Sequence, residues 1–218
     1  MPTIPYKNKA GQRLQGATTI KSQNIGWGKG GLLYWANQQG RDGKTLNEAR
    51  DTATISGTIA HYLVECSLTN APVKLNPLWS QENIDKANVA YQNYQTWCKQ
   101  FSFEPIAVEP NLVSEEWQYG GTPDVIGKVL GELCVIDWKT GKTYEDLFLQ
   151  LAAYKVLWEE NNPTMPIIGG FHVLRMPKNE DVPSFHHSHW RVLAAEAWEA
   201  FECALKLGKI QKQLKQLL

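Results

Sequence analysis

Two short apolar runs joined through one glycine constrain the fold more than any other part of the chain. Residues 124–130 read DVIGKVL, residues 132–138 read ELCVIDW, and Gly131 stands between them. Runs of this length, rich in Val, Ile and Leu and separated by a turn residue, predict a β-hairpin.

Charged side chains stand where these two strands would meet. Asp124 opens the first run, while Asp137 and Lys139 lie two positions apart and so share a strand face, with Trp138 on the other. Two carboxylates suit Mg²⁺ or Mn²⁺, and a lysine beside them can orient or deprotonate water or stabilise charge on a phosphate. Metal-assisted phosphodiester hydrolysis needs these parts. Alternatively, Asp124 is a turn residue after Pro123, and the other two mark a strand end.

Hydrophobic periodicity predicts the elements around this hairpin. We expect one helix between loops in the first 50 residues, near residues 30–38, and a helical pattern over residues 55–68. Ser80 is a candidate N-cap for a long amphipathic helix. The other predicted elements are a strand run at 105–113, a helix at 143–161, a strand pair at 166–176 and 184–193, and a helix at 194–218. This order predicts a mixed α/β domain with one central sheet.

Composition limits the class of protein. The chain has 218 residues, of which 43% are hydrophobic, enough for one domain with a real core. No apolar run reaches the roughly 20 residues of a membrane span, and the first residues lack the apolar core of a secretion signal, so we expect a cytoplasmic protein. The cysteines lie far apart and predict reduced, mostly buried thiols rather than a metal cluster: Cys66, Cys98, Cys134 and Cys203.

Charge is unevenly distributed although the net charge is zero. Residues 1–50 carry eight Lys and Arg against two Asp and Glu, whereas residues 101–150 carry three against nine. A basic N-terminal quarter beside an acidic middle would suit a polyanion held over a metal site. A solvated tail would explain the basic quarter equally well.

Several motifs together resemble a known family. Pro123-Asp124 followed by Asp137-Trp138-Lys139 resembles the PD-(D/E)xK nucleases, and more specifically the branch of RecB-type nuclease domains, lambda-type phage exonucleases and CRISPR adaptation nucleases. Upstream, GTIAHYLVE resembles the G-x-x-x-H-x-x-x-E helix of that branch, and downstream QLAAY resembles its Q-x-x-x-Y helix. The similarity runs from about residue 17 to residue 200, with the motifs in family order.

The resemblance implies a restriction-endonuclease-like core in a single nuclease domain, residues 17–218, behind a basic N-terminal arm, residues 1–16. It implies a DNA nuclease that uses one or two Mg²⁺ or Mn²⁺ ions. The implied metal ligands are Asp124, Asp137, His61 and the backbone carbonyl of Trp138, and the implied catalytic residues are Asp124, Asp137 and Lys139. Residues expected to contact DNA or support the lysine are Gln150, Tyr154, Thr140 and Lys142, with Glu65 and Glu109 expected behind the ligands.

Two departures refine this expectation. Asp137 stands where many members have Glu, and the last 50 residues offer only Cys203, so we expect no iron–sulfur cluster. The expected activity is an exonuclease of phage-type DNA recombination or processing, in a bacterial or phage-infected cell. A helicase or recombination partner and a homo-oligomer are compatible with it. Alternatives are a structure-specific or nonspecific endonuclease and a DNA-binding module on an inactive nuclease fold.

Two further groups invite functional interpretations. In a strand, His187 and His189 would share a face and His186 would point away, with no carboxylate close in sequence, which disfavours a transition-metal site. The aromatic face of the long helix is predicted to be core, with base stacking as the alternative: Tyr91, Tyr94 and Trp97.

Overall fold

The computed structural model describes residues 4–27, 29–178 and 184–217, and within helix α3 the side chains of residues 47–53 lie outside the description. The helices are α1 (Ala17–Asn24), α2 (Lys29–Arg41), α3 (Leu46–Thr69), α4 (Gln81–Gln100), α5 (Asp146–Asn161) and α6 (Ala195–Lys215). The strands are β1 (Phe103–Val108), β2 (Leu112–Ser114), β3 (Tyr119–Gly121), β4 (Val125–Val129), β5 (Glu132–Lys139), β6 (Gly170–Arg175) and β7 (His186–Trp190).

The predicted hairpin is formed by β4 and β5. Val125 pairs with Ile136 and Val129 with Glu132 in an antiparallel register. The turn residues Leu130 and Gly131 have φ values of 53° and 86°, and two successive left-handed residues make the turn whose twist matches that of the flanking strands. Gly131 therefore adopts the left-handed conformation that the predicted hairpin turn requires.

Five strands form one mixed sheet in the order β1-β4-β5-β6-β7. Only β5 and β6 are parallel, and α5 connects them; the other neighbours are antiparallel. Helices α3 and α4 cover one face of the sheet, while α1, α5 and α6 cover the other. Strand β5 is buried from Leu133 to Trp138, which explains its near-continuous apolar sequence. The expected central mixed sheet flanked by helices in a single domain is confirmed.

Helix α4 supplies the aromatic side of this core. Ser80 caps the helix as predicted, its hydroxyl accepting a hydrogen bond from the Asn83 backbone N–H at 3.3 Å. Tyr94 and Trp97 are buried, at 4% and 0% exposure, and both pack edge-on against Trp138. The prediction that the aromatic face belongs to the core is confirmed for these two residues, which are closed to DNA bases.

Several elements differ from the sequence expectation. The first 50 residues hold two complete helices, α1 and α2, where one was expected, and the pattern over 55–68 belongs to a longer helix, α3, which begins at Leu46. The run at 105–113 divides into β1 and β2, because Glu109 adopts a left-handed φ of 45° and a proline follows it. Strand β3 was not predicted; it pairs with β2 in a separate two-stranded sheet.

The N-terminal segment packs against the domain. Residue Lys7 bridges Arg13, and Gly16 bridges Gly120 of β3. The Tyr6 ring covers Gly120, where an added Cβ would lie only 2.2 Å from the ring, and the Tyr6 hydroxyl is 2.9 Å from the Thr122 hydroxyl. Thr122 lies two positions before Asp124, so the described part of the predicted basic arm contacts the domain close to this acid. The three cations of the segment, Lys7, Lys9 and Arg13, are exposed.

Candidate active site

The β4–β5 hairpin brings the two predicted acids together. Asp124 directly precedes β4, and the register that pairs Val125 with Ile136 places it beside Asp137 on β5. The Trp138 backbone N–H donates a 2.7 Å hydrogen bond to Asp124 Oδ2, which fixes this carboxylate at the end of the strand. The Trp138 side chain lies on the opposite sheet face, as predicted. The role proposed for its carbonyl stays a prediction.

Lys139 lies beside the second acid. Its Nζ is 2.5 Å from Asp137 Oδ2, and Asp137 is only 1% exposed. Burial raises the pKa of Asp137; the Lys139 charge opposes this and the Asp124 charge adds to it, so that the pKa stays above the usual range. Burial lowers the pKa of Lys139, but Asp137 and Asp124 outweigh this effect and raise it. The lysine is thus a cation held against two acids.

His61 reaches the same site from α3. Its Nδ1 is 3.4 Å from Asp124 Oδ1. Burial alone would lower the pKa of His61, but the charge and the hydrogen bond of Asp124 outweigh it and raise this pKa. Burial alone would raise the pKa of Asp124, but the charge and the hydrogen bond of His61 outweigh it and lower this pKa. Gly57, one turn before His61, allows this approach, because a Cβ there would lie 2.8 Å from Thr140 Oγ1. The helix that carries Gly57 and His61 therefore meets Thr140, which directly follows Lys139.

Two more acids surround the first carboxylate. Glu65, one turn after His61, has a buried Oε2 without a hydrogen-bond partner, and burial raises its pKa. The Glu109 backbone N–H donates to the Asp124 carbonyl oxygen at 2.9 Å. Burial raises the pKa of Glu109, and the charges of Glu65 and Asp124 raise it further. Glu109 thus interacts electrostatically with Asp124, and Glu65 interacts with Glu109.

The Q-x-x-x-Y motif lies on the buried side of α5. Gln150 Nε2 donates to the Tyr154 hydroxyl at 2.9 Å. Burial raises the pKa of Tyr154, and the charges of Asp137 and Asp124 raise it further, so that its hydroxyl remains a neutral group beside the acids. Thr140 is partly buried beside Gly57, whereas Lys142 is exposed in the loop before α5.

Sequence reasoning missed the α1 side of this network. Lys21 Nζ donates to Gln150 Oε1 at 3.3 Å and pairs with Asp146 at 3.0 Å, and the Thr18 side chain hydrogen bonds to Tyr154. The only signal for Asp146 was its position four residues before Gln150, on the same helical face. Lys21 and Thr18 carried no signal, because more than 120 residues separate them from α5.

The donor set fits a divalent cation. It is rich in carboxylate oxygens with one imidazole, the chemistry that Mg²⁺ and Mn²⁺ accept. Asp137 Oδ2 is buried beside the Lys139 ammonium, and Glu65 Oε2 has no hydrogen-bond partner among the described residues. In the described parts of the chain, no three His, Cys, Asp or Glu side chains already converge as a metal site.

The histidines of β7 lie elsewhere. His187 Nε2 is 2.8 Å from Nδ1 of His172, the ring of His189 stacks on His172 at 4.1 Å, and His186 is exposed. His187 and His189 thus share a side, as predicted. The four cysteines are unpaired thiols; Cys66 and Cys134 are buried, Cys98 is half-buried and Cys203 is exposed.

Comparison with protein families decides the class. The model of the PD-(D/E)XK nuclease superfamily matches residues 33–214, which include His61, both acids, Lys139 and the α5 motif. The chain belongs to the PD-(D/E)XK nuclease superfamily. The mixed five-stranded sheet with helices on both faces agrees with the restriction-endonuclease-like fold expected from the resemblance. A comparison with curated proteins gives no significant match.

Membership of this superfamily makes the protein a nuclease, of a class that typically uses divalent metal ions and would act on DNA. In the described ranges, no helix is long and apolar enough to span a membrane.

Proposed function

We propose that this nuclease is a Mg²⁺- or Mn²⁺-dependent deoxyribonuclease that degrades DNA from its ends, within the RecB-like and lambda-type exonuclease branch. Its proposed setting is phage-type DNA recombination or processing in a bacterial or phage-infected cell. The observation that carries the proposal is the meeting of Asp124, Asp137, Lys139 and His61 at one end of the sheet. Helicase or recombination partners and a homo-oligomer are part of the same proposal.

Each side chain has a role that its position suggests. Asp124, Asp137 and His61 would hold the metal, which supplies Lewis acidity and an activated water when bound. Lys139 places a cation beside Asp137, where it can orient the attacking water or stabilise the charge that develops on the phosphate. Gln150 and Tyr154 offer an amide and a neutral hydroxyl from α5, suited to holding the DNA strand next to the acids.

The test is a cleavage time course with Mg²⁺ or Mn²⁺. Matched linear and closed-circular DNA, each single- and double-stranded, would be incubated with the wild type and with Asp137→Asn, the linear forms being labelled at one end. We expect loss of linear DNA with intact circles, and no cleavage by the variant although it still binds DNA. The order of label release then gives the polarity.

Other outcomes separate the alternatives. Nicked or linearised circles would replace the exonuclease with an endonuclease. Binding without cleavage in either metal would contradict the proposed activity and favour a DNA-binding module on the nuclease fold.

A further inference from the structure

Arg175 occupies the last position of β6, directly beside the proposed catalytic lysine. The parallel β5–β6 register pairs Lys139 with Arg175, and Asp137 with Val173. Paired Cα atoms of neighbouring strands lie about 4.8 Å apart. Val173 packs in the core on the α5 face of the sheet, and residues two apart share a face, so Arg175 lies on the same face as Lys139. The two cationic residues therefore end adjacent strands on the α5 face.

This arginine has no anionic partner among the residues that the structure describes. Its Nε is buried without a hydrogen-bond acceptor, and no described carboxylate lies within ion-pair distance. Arg191, beyond the end of β7, shows the contrast: its two terminal nitrogens donate to the two oxygens of Glu132, each at 2.8 Å. A buried guanidinium donor without an acceptor is costly, which points to an acceptor beyond the described residues, and a bound ligand can supply one.

A cavity of about 200 Å³ adjoins Arg175. The polar residues Thr143, His186 and Ser188 line it together with Arg175, and none of the described residues around it is acidic. Thr143 follows the loop that leaves Lys139, and Ser188 lies on β7, so the cavity lies between the active-site strand ends and the sheet edge. An arginine with neighbouring hydroxyl donors and no carboxylate is suited to a phosphate group.

We propose that Arg175 and this cavity bind an internal backbone phosphate of the DNA strand, next to the phosphate that is hydrolysed. The site rests on the proposed function, since it supplies the second contact that would fix the strand over Asp137 and Lys139. Arginine offers a phosphate two parallel hydrogen bonds, whereas a lysine offers a point charge. Arg175 would thus fix the position of the strand as well as add attraction.

The first experiment measures DNA affinity as a function of salt. Arg175→Ala and Arg175→Lys would be compared with Arg191→Ala, which removes the same charge from an exposed, ion-paired site, all in an Asp137→Asn background that keeps the DNA intact. We expect Arg175→Ala to weaken binding roughly tenfold or more and to reduce the slope of log K against log salt by about 0.7–0.9. Arg175→Lys should lie between, and Arg191→Ala should change neither quantity.

A second experiment identifies the phosphate. Single neutral methylphosphonate substitutions are moved along the strand, and both termini are tested with and without a terminal phosphate. At one internal position, the substitution should weaken DNA binding by the wild type about as much as the Arg175→Ala change does. The same substitution should not weaken DNA binding by the Arg175→Ala variant any further. Equal losses in both proteins at every position would overturn the proposal, as would a loss reproduced by removing a terminal phosphate alone.

A third measurement excludes a purely structural role. Arg175→Met removes a buried donor that has no partner, so its thermal unfolding temperature should be equal to or above that of the wild type while DNA affinity falls. A loss of stability that accounts for the loss of affinity would overturn the assignment. Failure of the two proposals can be distinguished: cleavage that is indifferent to Arg175 refutes only this site, whereas Arg175-dependent binding without cleavage refutes only the nuclease.

Discussion

His172 should make the stability of this protein fall in mild acid. The residue lies on β6 with 5% of its surface exposed, and its Nδ1 is 2.8 Å from His187 Nε2. Burial, together with the neighbouring His189 and His187, lowers the pKa of His172 to about 3, while the Glu132 charge acts weakly against them. The aromatic rings that flank His187 are uncharged: Trp97 of α4 and Phe101, which directly follows this helix.

The sign and size of the effect follow from the difference between the folded and unfolded states. An unfolded histidine titrates near 6.5, so the unfolded chain binds the proton first as the pH falls. The stability contributed by neutral His172 is present above pH 6.5 and is lost progressively as the pH falls towards 3. Each pKa unit corresponds to about 1.4 kcal/mol, which gives at most about 2 kcal/mol at pH 5. Because the stacked His189 is exposed, we expect about 1–2 kcal/mol.

The assay is urea unfolding of the wild type and of His172→Phe at pH 7.5 and pH 5. Other groups act in the opposite direction, since the raised pKa values of Glu65, Glu109, Asp137 and His61 add stability in acid. The informative quantity is therefore the difference in the free energy of unfolding between the wild type and His172→Phe, because those contributions cancel in it. The wild type should lose about 1–2 kcal/mol relative to the variant between the two pH values.

The control is His186→Asn, which removes an exposed imidazole from the neighbouring strand. This variant should lose nearly the same unfolding free energy between pH 7.5 and pH 5 as the wild type. A wild-type minus His172→Phe difference that is the same at both pH values would refute the reasoning, because it would show that His172 is protonated equally in the folded and unfolded chains.

Three further predictions concern the site, the core and the N-terminal segment. Asp137→Asn should lower the cleavage rate by about a hundred- to a thousandfold or more while DNA affinity changes little; single-turnover cleavage measures the former. Trp97→Ala should lower the free energy of unfolding by about 3–5 kcal/mol, measured by urea titration, since the ring is fully buried. Replacing the exposed Lys7, Lys9 and Arg13 by Ala should reduce the salt dependence of DNA binding; an unchanged slope would show that these cations do not contact phosphates.

The hairpin and the acid–lysine pair could be predicted because their signals are local. Alternation along β5 places Asp137 and Lys139 on one face whatever the rest of the chain does, and Gly131 allows the turn that brings Asp124 beside them. The same holds for the Gln150–Tyr154 pair, since positions four apart on a helix are neighbours. Local periodicity is enough to define such contacts.

Other parts of the site depend on contacts between distant segments. Lys21 reaches Gln150 only because α1 packs on α5, and Tyr6 reaches Thr122 only because the N-terminal segment covers Gly120. Neither contact follows from a spacing in the sequence. Arg175 is a similar case: on its own strand it reads as an ordinary strand end, and only the parallel pairing of β5 with β6 places it beside Lys139.

The end of the sheet that carries the acids concentrates polar groups that the described chain leaves unsatisfied. Among the described residues, Glu65 Oε2 and Arg175 Nε lack hydrogen-bond partners there, and Asp137 Oδ2 has the Lys139 ammonium beside it. In a folded protein such groups are normally paired, because each unpaired one destabilises the native state. Here the acceptors and the donor are separated. The acceptors are the acids around Asp124, and the donor is the guanidinium of Arg175 at the end of β6, the strand next to β5. A cation bound by the acids and a phosphate bound by the arginine would satisfy both sets, so the protein's own stability should rise when metal and DNA bind together.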